Sequence, residues 1–95
     1  MQTVVVIDET IKAGQLGAFM DYMREMIRLT KAEDGCIAYD FYEAQDGSGE
    51  VVLVEIWESS EALDLHLQTE HFKEFFSGAD IFRERPSKVR VFSRL

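Results

Sequence analysis

The residues best suited to chemistry lie close together between Glu55 and Phe72. This segment contains the only tryptophan, Trp57, and both histidines, His66 and His71. Histidine has an unperturbed pKa near neutrality, so its imidazole can take up and release a proton near pH 7. A glutamate such as Glu55 reaches that range only when burial raises the pKa of its carboxyl. The segment is therefore where we expect any proton-transfer site of the chain.

Two environments are open to Glu55, which shares a strand face with Leu53 and Trp57. An apolar pocket would raise the pKa of its carboxyl, whereas a cation from the basic C-terminal strand would lower it. We predict the ion pair. His66 follows apolar helix positions, so a catalytic base and a structural hydrogen-bonding residue are equally open interpretations. His71 is predicted to be a capping or surface residue.

Aromatic side chains could form the walls of a pocket beside these groups. Trp57 offers a large flat surface that can stack on an aromatic ring, and Tyr39 and Phe41 could line the same cavity. Ordinary core packing is the default interpretation for all three.

Composition predicts one globular domain over residues 1–95, since 46% of the residues are hydrophobic. The net charge of −8 argues against binding nucleic acid or an anionic membrane. Residues 83–95 carry five basic side chains and one acid, so we predict cross-strand pairing with an acidic neighbour, with an anion site as the alternative.

A lone cysteine, Cys36, and the lack of a leader or an apolar span favour a cytoplasmic protein.

Hydrophobic periodicity predicts the elements that position these residues. It gives strands at residues 3–7, 36–45, 51–57 and 87–94, a helix of about five turns from Leu16 ended by Gly35, and two short helices capped by Ser59 or Ser60 and by Thr69. In the second strand, Ile37, Tyr39 and Phe41 are predicted to share one face.

The first and third strands are apolar throughout, whereas the second and fourth alternate. Apolar strands belong in the centre of a sheet, so the pattern predicts an α+β, ferredoxin-like βαββαβ fold with antiparallel strand order 4-1-3-2. Helices cover only one face of such a sheet. We therefore expect a homodimer in which the two open sheet faces pack together as a dimeric α+β barrel.

Three motifs carry a resemblance to a known family: Glu33-Asp34-Gly35-Cys36-Ile37-Ala38-Tyr39-Asp40, then Glu55-Ile56-Trp57-Glu58-Ser59 with Glu61-Ala62-Leu63, and then His66, Thr69, His71 and Phe72. Read together, they resemble the antibiotic biosynthesis monooxygenase (ABM) domain family, and in particular its small quinol monooxygenase-like members. The resemblance covers essentially the whole chain. It implies the same fold and the same dimer.

The resemblance also implies an activity. Family members that oxidise polyketide phenols without a cofactor place a tryptophan where Trp57 stands, but an asparagine and a tyrosine at the positions of Leu53 and Leu63. Members that degrade haem use a histidine whose position falls at Phe76, so haem ligation of that kind is not supported. The predicted substrate-binding residues are Tyr39, Phe41, Leu53, Trp57, Leu63 and Phe72. No cofactor and no metal ligand are predicted.

Three functions follow as hypotheses. The first is a cofactor-independent monooxygenase that oxidises a quinol or another hydroxylated aromatic with dioxygen, with His66, or less favourably Glu55, as the base. The second is an isomerase or related proton-transfer enzyme acting on a small phosphorylated or carbonyl metabolite, with the cations between Arg83 and Arg94 holding the anion. The third is a non-catalytic dimer that binds a small molecule.

Overall fold

The computed structural model describes residues 1–95 and contains one four-stranded antiparallel sheet with helices on one face. Its elements are β1 (Thr3–Thr10), α1 (Leu16–Lys31), β2 (Cys36–Glu43), β3 (Glu50–Trp57), α2 (Ser60–Leu67), α3 (Glu70–Gly78), a 3-10 turn (Ala79–Phe82) and β4 (Lys88–Ser93). The strand order is β2-β3-β1-β4, which is the predicted order read from the other edge. The ferredoxin-like α+β prediction is confirmed.

The core lies between the sheet and the helices. Buried side chains alternate with partly exposed ones along β1 and β3. The buried set packs against α1, whose apolar stripe carries Phe19, Met23 and Met26. The other sheet face is only partly covered in the single chain, and it presents Val4, Val6, Val52, Val54 and Ile56.

Two local predictions were wrong. Helix α1 ends at Lys31, so Gly35 does not cap it; Gly35 has φ +85° and instead turns the chain into β2. A register shift between Cys36 and Ala38 also removes Ile37 from the face that it was predicted to share with Tyr39, and Ile37 is 49% exposed. A bulge of this kind adds one residue to a strand and reverses the alternation before it.

Capping residues fix the helices that cover the site. The Ser59 hydroxyl accepts a hydrogen bond from the backbone N–H of Ala62, and the Thr69 hydroxyl accepts one from the N–H of Phe72. Both caps satisfy amide groups that the first helical turn leaves without a partner. None of the helices is both long and apolar enough to cross a membrane.

The basic C-terminal segment pairs with acidic strand residues, as predicted. Arg83 binds the carboxylate of Glu9 at 3.0 Å, and both side chains are only 5% exposed. Arg90 lies 3.7 Å from Asp8 on the neighbouring strand. The segment therefore fastens the last part of the chain to β1.

Candidate active site

A buried carboxyl stands at the centre of the candidate site. Glu55 and Trp57 project from the helix-covered face of β3, and their exposed fractions are 4% and 0%. The indole Nε1–H of Trp57 donates a hydrogen bond of 3.0 Å to Glu55 Oε1. Residues two apart on a strand point to the same side, so the sequence spacing alone allows this contact.

The predicted ion pair of Glu55 is wrong, because no cation contacts its carboxylate. Three of the basic side chains of the C-terminal segment pair with other acids: Arg83 binds Glu9, Arg85 lies near Glu50, and Arg90 lies near Asp8. Burial raises the pKa of Glu55 from 4.5 to about 7, against a smaller lowering by the Trp57 hydrogen bond. Of the two environments considered for Glu55, the structure contains the desolvated one.

His66 projects from helix α2 and lies against Trp57. Its ring is 1% exposed and its centroid lies 4.7 Å from the nearest ring centroid of Trp57. Phe72 and Tyr39 complete the surroundings, with ring centroids 5.3 Å and 6.0 Å from that of His66. The structure thus brings together four of the residues that the sequence suggested for the site.

The Glu33 carboxylate contacts both histidines. Glu33 Oε2 lies 2.7 Å from Nδ1 of His66 and 2.7 Å from Nε2 of His71. His71 was predicted to be a capping or surface residue. Thr69 is the cap of α3, and the side chain of His71 is partly exposed, at 18%. Glu33 was not predicted as a site residue. Its only sequence signal is its place in the motif before Gly35.

Burial and hydrogen bonding act in opposite directions on His66. Desolvation lowers the pKa of its imidazole below 6.5, and the contact with Glu33 opposes this effect without reversing it. The imidazole is therefore neutral at pH 7 and above, as a proton acceptor must be. Burial also raises the pKa of the neighbouring Tyr39 hydroxyl, so that this group stays protonated.

Glu33, His66 and His71 are also the residues that could hold a metal ion, since their ligand atoms lie within 4.8 Å of one another. The two 2.7 Å separations are hydrogen-bond lengths. Two ligands of a tetrahedral zinc ion, each ~2.0–2.1 Å from the metal, would lie ~3.3 Å apart. The geometry fits protons between these atoms better than a shared ion.

The other predicted residues are Phe41, Leu53 and Leu63. Phe41 contacts Phe19 and Tyr39, with ring centroids 5.5 Å and 6.3 Å away, and so lies one ring further from the histidine. Leu53 and Leu63 are both buried, on β3 and α2. Neither offers the polar contact that an asparagine or a tyrosine would supply.

The open clefts of the chain lie elsewhere. The larger, of about 410 Å³, is lined by residues at the far ends of β1 and β3 together with Arg85, Pro86 and Lys88. The second, of about 380 Å³, is lined by polar residues near Arg83. Neither of these two clefts includes Glu55, Trp57 or His66. The candidate site is closed by its own side chains, since Trp57 and His66 are 0% and 1% exposed.

Comparisons with known proteins agree with this fold. The sequence model described as "Antibiotic biosynthesis monooxygenase" matches residues 3–78. "Putative monooxygenase Rv0793" of Mycobacterium tuberculosis is 43% identical over 70 residues, which are 74% of this chain and 68% of that protein. An uncharacterised Synechocystis protein is 29% identical over an alignment of 92 positions, which covers 90% of this chain but 63% of that protein. The chain thus spans about two thirds of the length of these curated relatives.

Solved structures match over nearly the whole chain. The structure of Rv0793 has a TM-score of 0.89 at 33% identity and covers 100% of this chain and 96% of that one. A crystal structure of an antibiotic biosynthesis monooxygenase has a TM-score of 0.86 at 27% identity, with 100% and 99% covered. A Methanosarcina mazei protein, at 24% identity and a TM-score of 0.94, shares the fold. The chain belongs to the antibiotic biosynthesis monooxygenase family.

Proposed function

We propose that the chain is a monooxygenase that oxidises a quinol or another hydroxylated aromatic with dioxygen and without a cofactor. One observation carries the proposal. Glu55 is a buried carboxyl with no cationic partner, and it lies among aromatic side chains that suit a flat substrate. Burying a carboxyl without a cation is costly, so such a group is a good candidate for a functional residue.

The chemistry requires little from the protein. A base removes the hydroxyl proton of the substrate, and the resulting anion gives one electron to dioxygen. The aryloxyl radical and superoxide then combine, forming a C–O bond at a ring carbon and giving a peroxide. Loss of a C–H proton and cleavage of the O–O bond leave a quinone carbonyl and water. The protein supplies the base, the orientation and a site from which bulk water is excluded.

Two bases are available, and the pH dependence of the rate distinguishes them. If Glu55 is the base, kcat/KM should rise with pH around a midpoint near 7. If His66 is the base, the midpoint should lie below 6.5. The variants Glu55→Gln and His66→Gln should each be compared with the parent. Only the variant that lacks the true base should lose the rise of kcat/KM with pH.

A substrate must open the site before it binds, because the tryptophan and His66 are almost fully covered. Helix α3 is the element most suited to move, since none of its residues is buried. It carries Phe72 and His71 on its first turn, next to His66. Outward movement of α3 would therefore expose the imidazole and the aromatic wall together.

Oxygen consumption tests the proposal directly. Metal-free protein is mixed anaerobically with a panel of quinols and naphthols and is then exposed to oxygen. We expect uptake faster than autoxidation, with one oxygen atom of ¹⁸O₂ in the quinone product. Background rates across the whole panel would refute the proposal.

We also propose that two chains form a homodimer through the open sheet face. That face presents five apolar side chains of β1 and β3, and Phe92 of β4, paired with Val4, extends it. Full burial of such a side chain contributes ~1.5–3 kcal/mol, which is large beside a total stability of ~5–15 kcal/mol. We expect an interface at or above the ~1,200–2,000 Å² of a standard complex.

Light scattering at micromolar concentration tests the dimer, for which we expect twice the chain mass of 10.9 kDa. Val54→Lys places a charge on the open face and should give monomer or unfolded chain. Glu43→Lys, at an exposed position near the end of β2, is the matched control and should stay dimeric. A folded parent of 10.9 kDa would refute the dimer.

A non-catalytic binding dimer is the second candidate, and the closed packing around His66 is the observation that favours it. A thermal-shift screen without turnover would support it, because a ligand that binds only the folded state raises Tm. The isomerase alternative has less support. Arg83 and Arg90, two of its proposed anion-binding cations, already pair with Glu9 and Asp8.

A further inference from the structure

Glu33 holds two imidazoles on a single carboxylate oxygen, and one of them belongs to the candidate base. We propose that Glu33 is a positioning residue that fixes the tautomer of His66, with the proton on Nδ1 and the lone pair on Nε2 available to the substrate. The kinetic part of this inference rests on the proposed function. The tautomer itself does not.

The direction of the two hydrogen bonds follows from the chemistry of the carboxylate. An ionised carboxylate only accepts hydrogen bonds, so each nitrogen in contact with Oε2 must carry a proton. His66 therefore has its proton on Nδ1, and His71 has its proton on Nε2. In a neutral imidazole the other nitrogen keeps a lone pair. The structure thus assigns opposite tautomers to the two histidines.

The free nitrogen of His66 is placed for proton transfer. The only side-chain hydrogen bond of His66 is the one at Nδ1, so its Nε2 has no protein partner, and the ring lies against those of Trp57 and Phe72. An imidazole whose Nδ1–H is held by a carboxylate and whose Nε2 accepts the substrate proton is the arrangement used in acid–base catalysis by hydrolases with a triad. Glu33 would also stabilise the imidazolium that forms when His66 takes up the proton.

His71 supports the carboxylate from the solvent side. It is 18% exposed and Glu33 is 15% exposed, whereas the side chain of His66 is 1% exposed. A second hydrogen bond to the same oxygen restricts the rotation of the Glu33 side chain. We expect His71→Phe to weaken the positioning effect less than any change at Glu33 itself.

Nuclear magnetic resonance can read both tautomers directly, because the chain has only two histidines. Long-range ¹H–¹⁵N spectra at pH 7.5 distinguish a protonated nitrogen from one with a lone pair. We expect one ring with the proton on Nδ1, which His66→Gln removes, and one with the proton on Nε2, which His71→Phe removes. A proton on Nε2 of His66, or a charged ring, would overturn the proposal.

Glu33→Gln then tests the role of the carboxylate. The neutral amide can donate as well as accept, so we expect His66 to lose its single tautomer and kcat to fall at least tenfold with little change in KM. Asp34→Asn is the matched control, since it removes the same charge from an exposed neighbour that contacts neither histidine. Unchanged kcat in Glu33→Gln would overturn the positioning role.

The remaining outcomes separate this inference from the proposed function. Correct tautomers without any oxidation of the panel would refute the monooxygenase proposal and, with it, the kinetic role of Glu33.

Addition of Zn²⁺ provides the last check. Saturation at one ion per chain with loss of both N–H assignments would make the three residues a metal site and would overturn the positioning role.

Discussion

Replacing Glu55 by glutamine should stabilise the protein at alkaline pH. Glutamine has the same shape and its side-chain oxygen can still accept the hydrogen bond of Trp57. It removes the charge that the folded state must bury above neutral pH. An active-site residue that costs stability is expected where function requires a strained or desolvated group.

The magnitude follows from the raised pKa of Glu55. Because the folded state holds its proton up to about pH 7 and the unfolded state only to 4.5, the free energy of unfolding falls as pH rises between these values. At ~1.4 kcal/mol per pKa unit, the full loss is ~3.5 kcal/mol above pH 7. His66, with its lowered pKa, acts oppositely and destabilises the fold as pH falls below 6.5.

The assay is urea unfolding of the parent and of Glu55→Gln at pH 5 and pH 8. The variant should lack the ~3.5 kcal/mol decline of the parent, so its advantage should appear at pH 8 and be small at pH 5. Parallel pH curves would refute a desolvated carboxyl. Glu9→Gln provides the contrast, because the Glu9 carboxylate is also buried but pairs with Arg83. The free energy of unfolding of this variant should fall by ~3–5 kcal/mol.

Three further substitutions test the surroundings of the site. Trp57→Phe removes the hydrogen bond that lowers the pKa of Glu55, so the pH midpoint of the stability loss should move above 7 in the same urea series. Gly35→Ala should lower stability by ~1–3 kcal/mol in thermal unfolding, because φ is +85° and the added Cβ would lie 2.6 Å from Cβ of Ala62. Thr69→Ala should cost ~1 kcal/mol by removing the cap of α3, and should speed amide exchange in that helix.

The last two substitutions, Gly35→Ala and Thr69→Ala, each have a matched control. Gly14→Ala has a similar φ of +75° but no atom within 4 Å of the added Cβ, so it isolates backbone strain from the clash at Gly35. Equal losses at the two glycines would contradict the clash. Ser77→Ala, at an exposed position inside α3, should keep the free energy of unfolding within ~0.5 kcal/mol of the parent. It should also leave amide exchange in α3 unchanged.

The sequence by itself determined the elements and their order, because these depend on local periodicity and on a few capping residues. Apolar β1 and β3 had to be central, the hairpin had glycines where positive φ is needed, and Ser59 and Thr69 cap α2 and α3 as predicted. His66 and Trp57 belong to one sequence motif, and the structure places their ring centroids 4.7 Å apart.

Only the tertiary structure decided which side chains contact one another in the candidate site. Glu33 is 33 residues from His66 and 38 from His71, and no periodicity links positions on different elements. The partner of Glu55 depended on whether a cation of residues 83–95 reaches β3. Acids of β1 bind two of these cations instead, since Glu9 pairs with Arg83 and Asp8 lies near Arg90. Charge and burial at a site are properties of neighbours in space, and the chain order does not specify those neighbours.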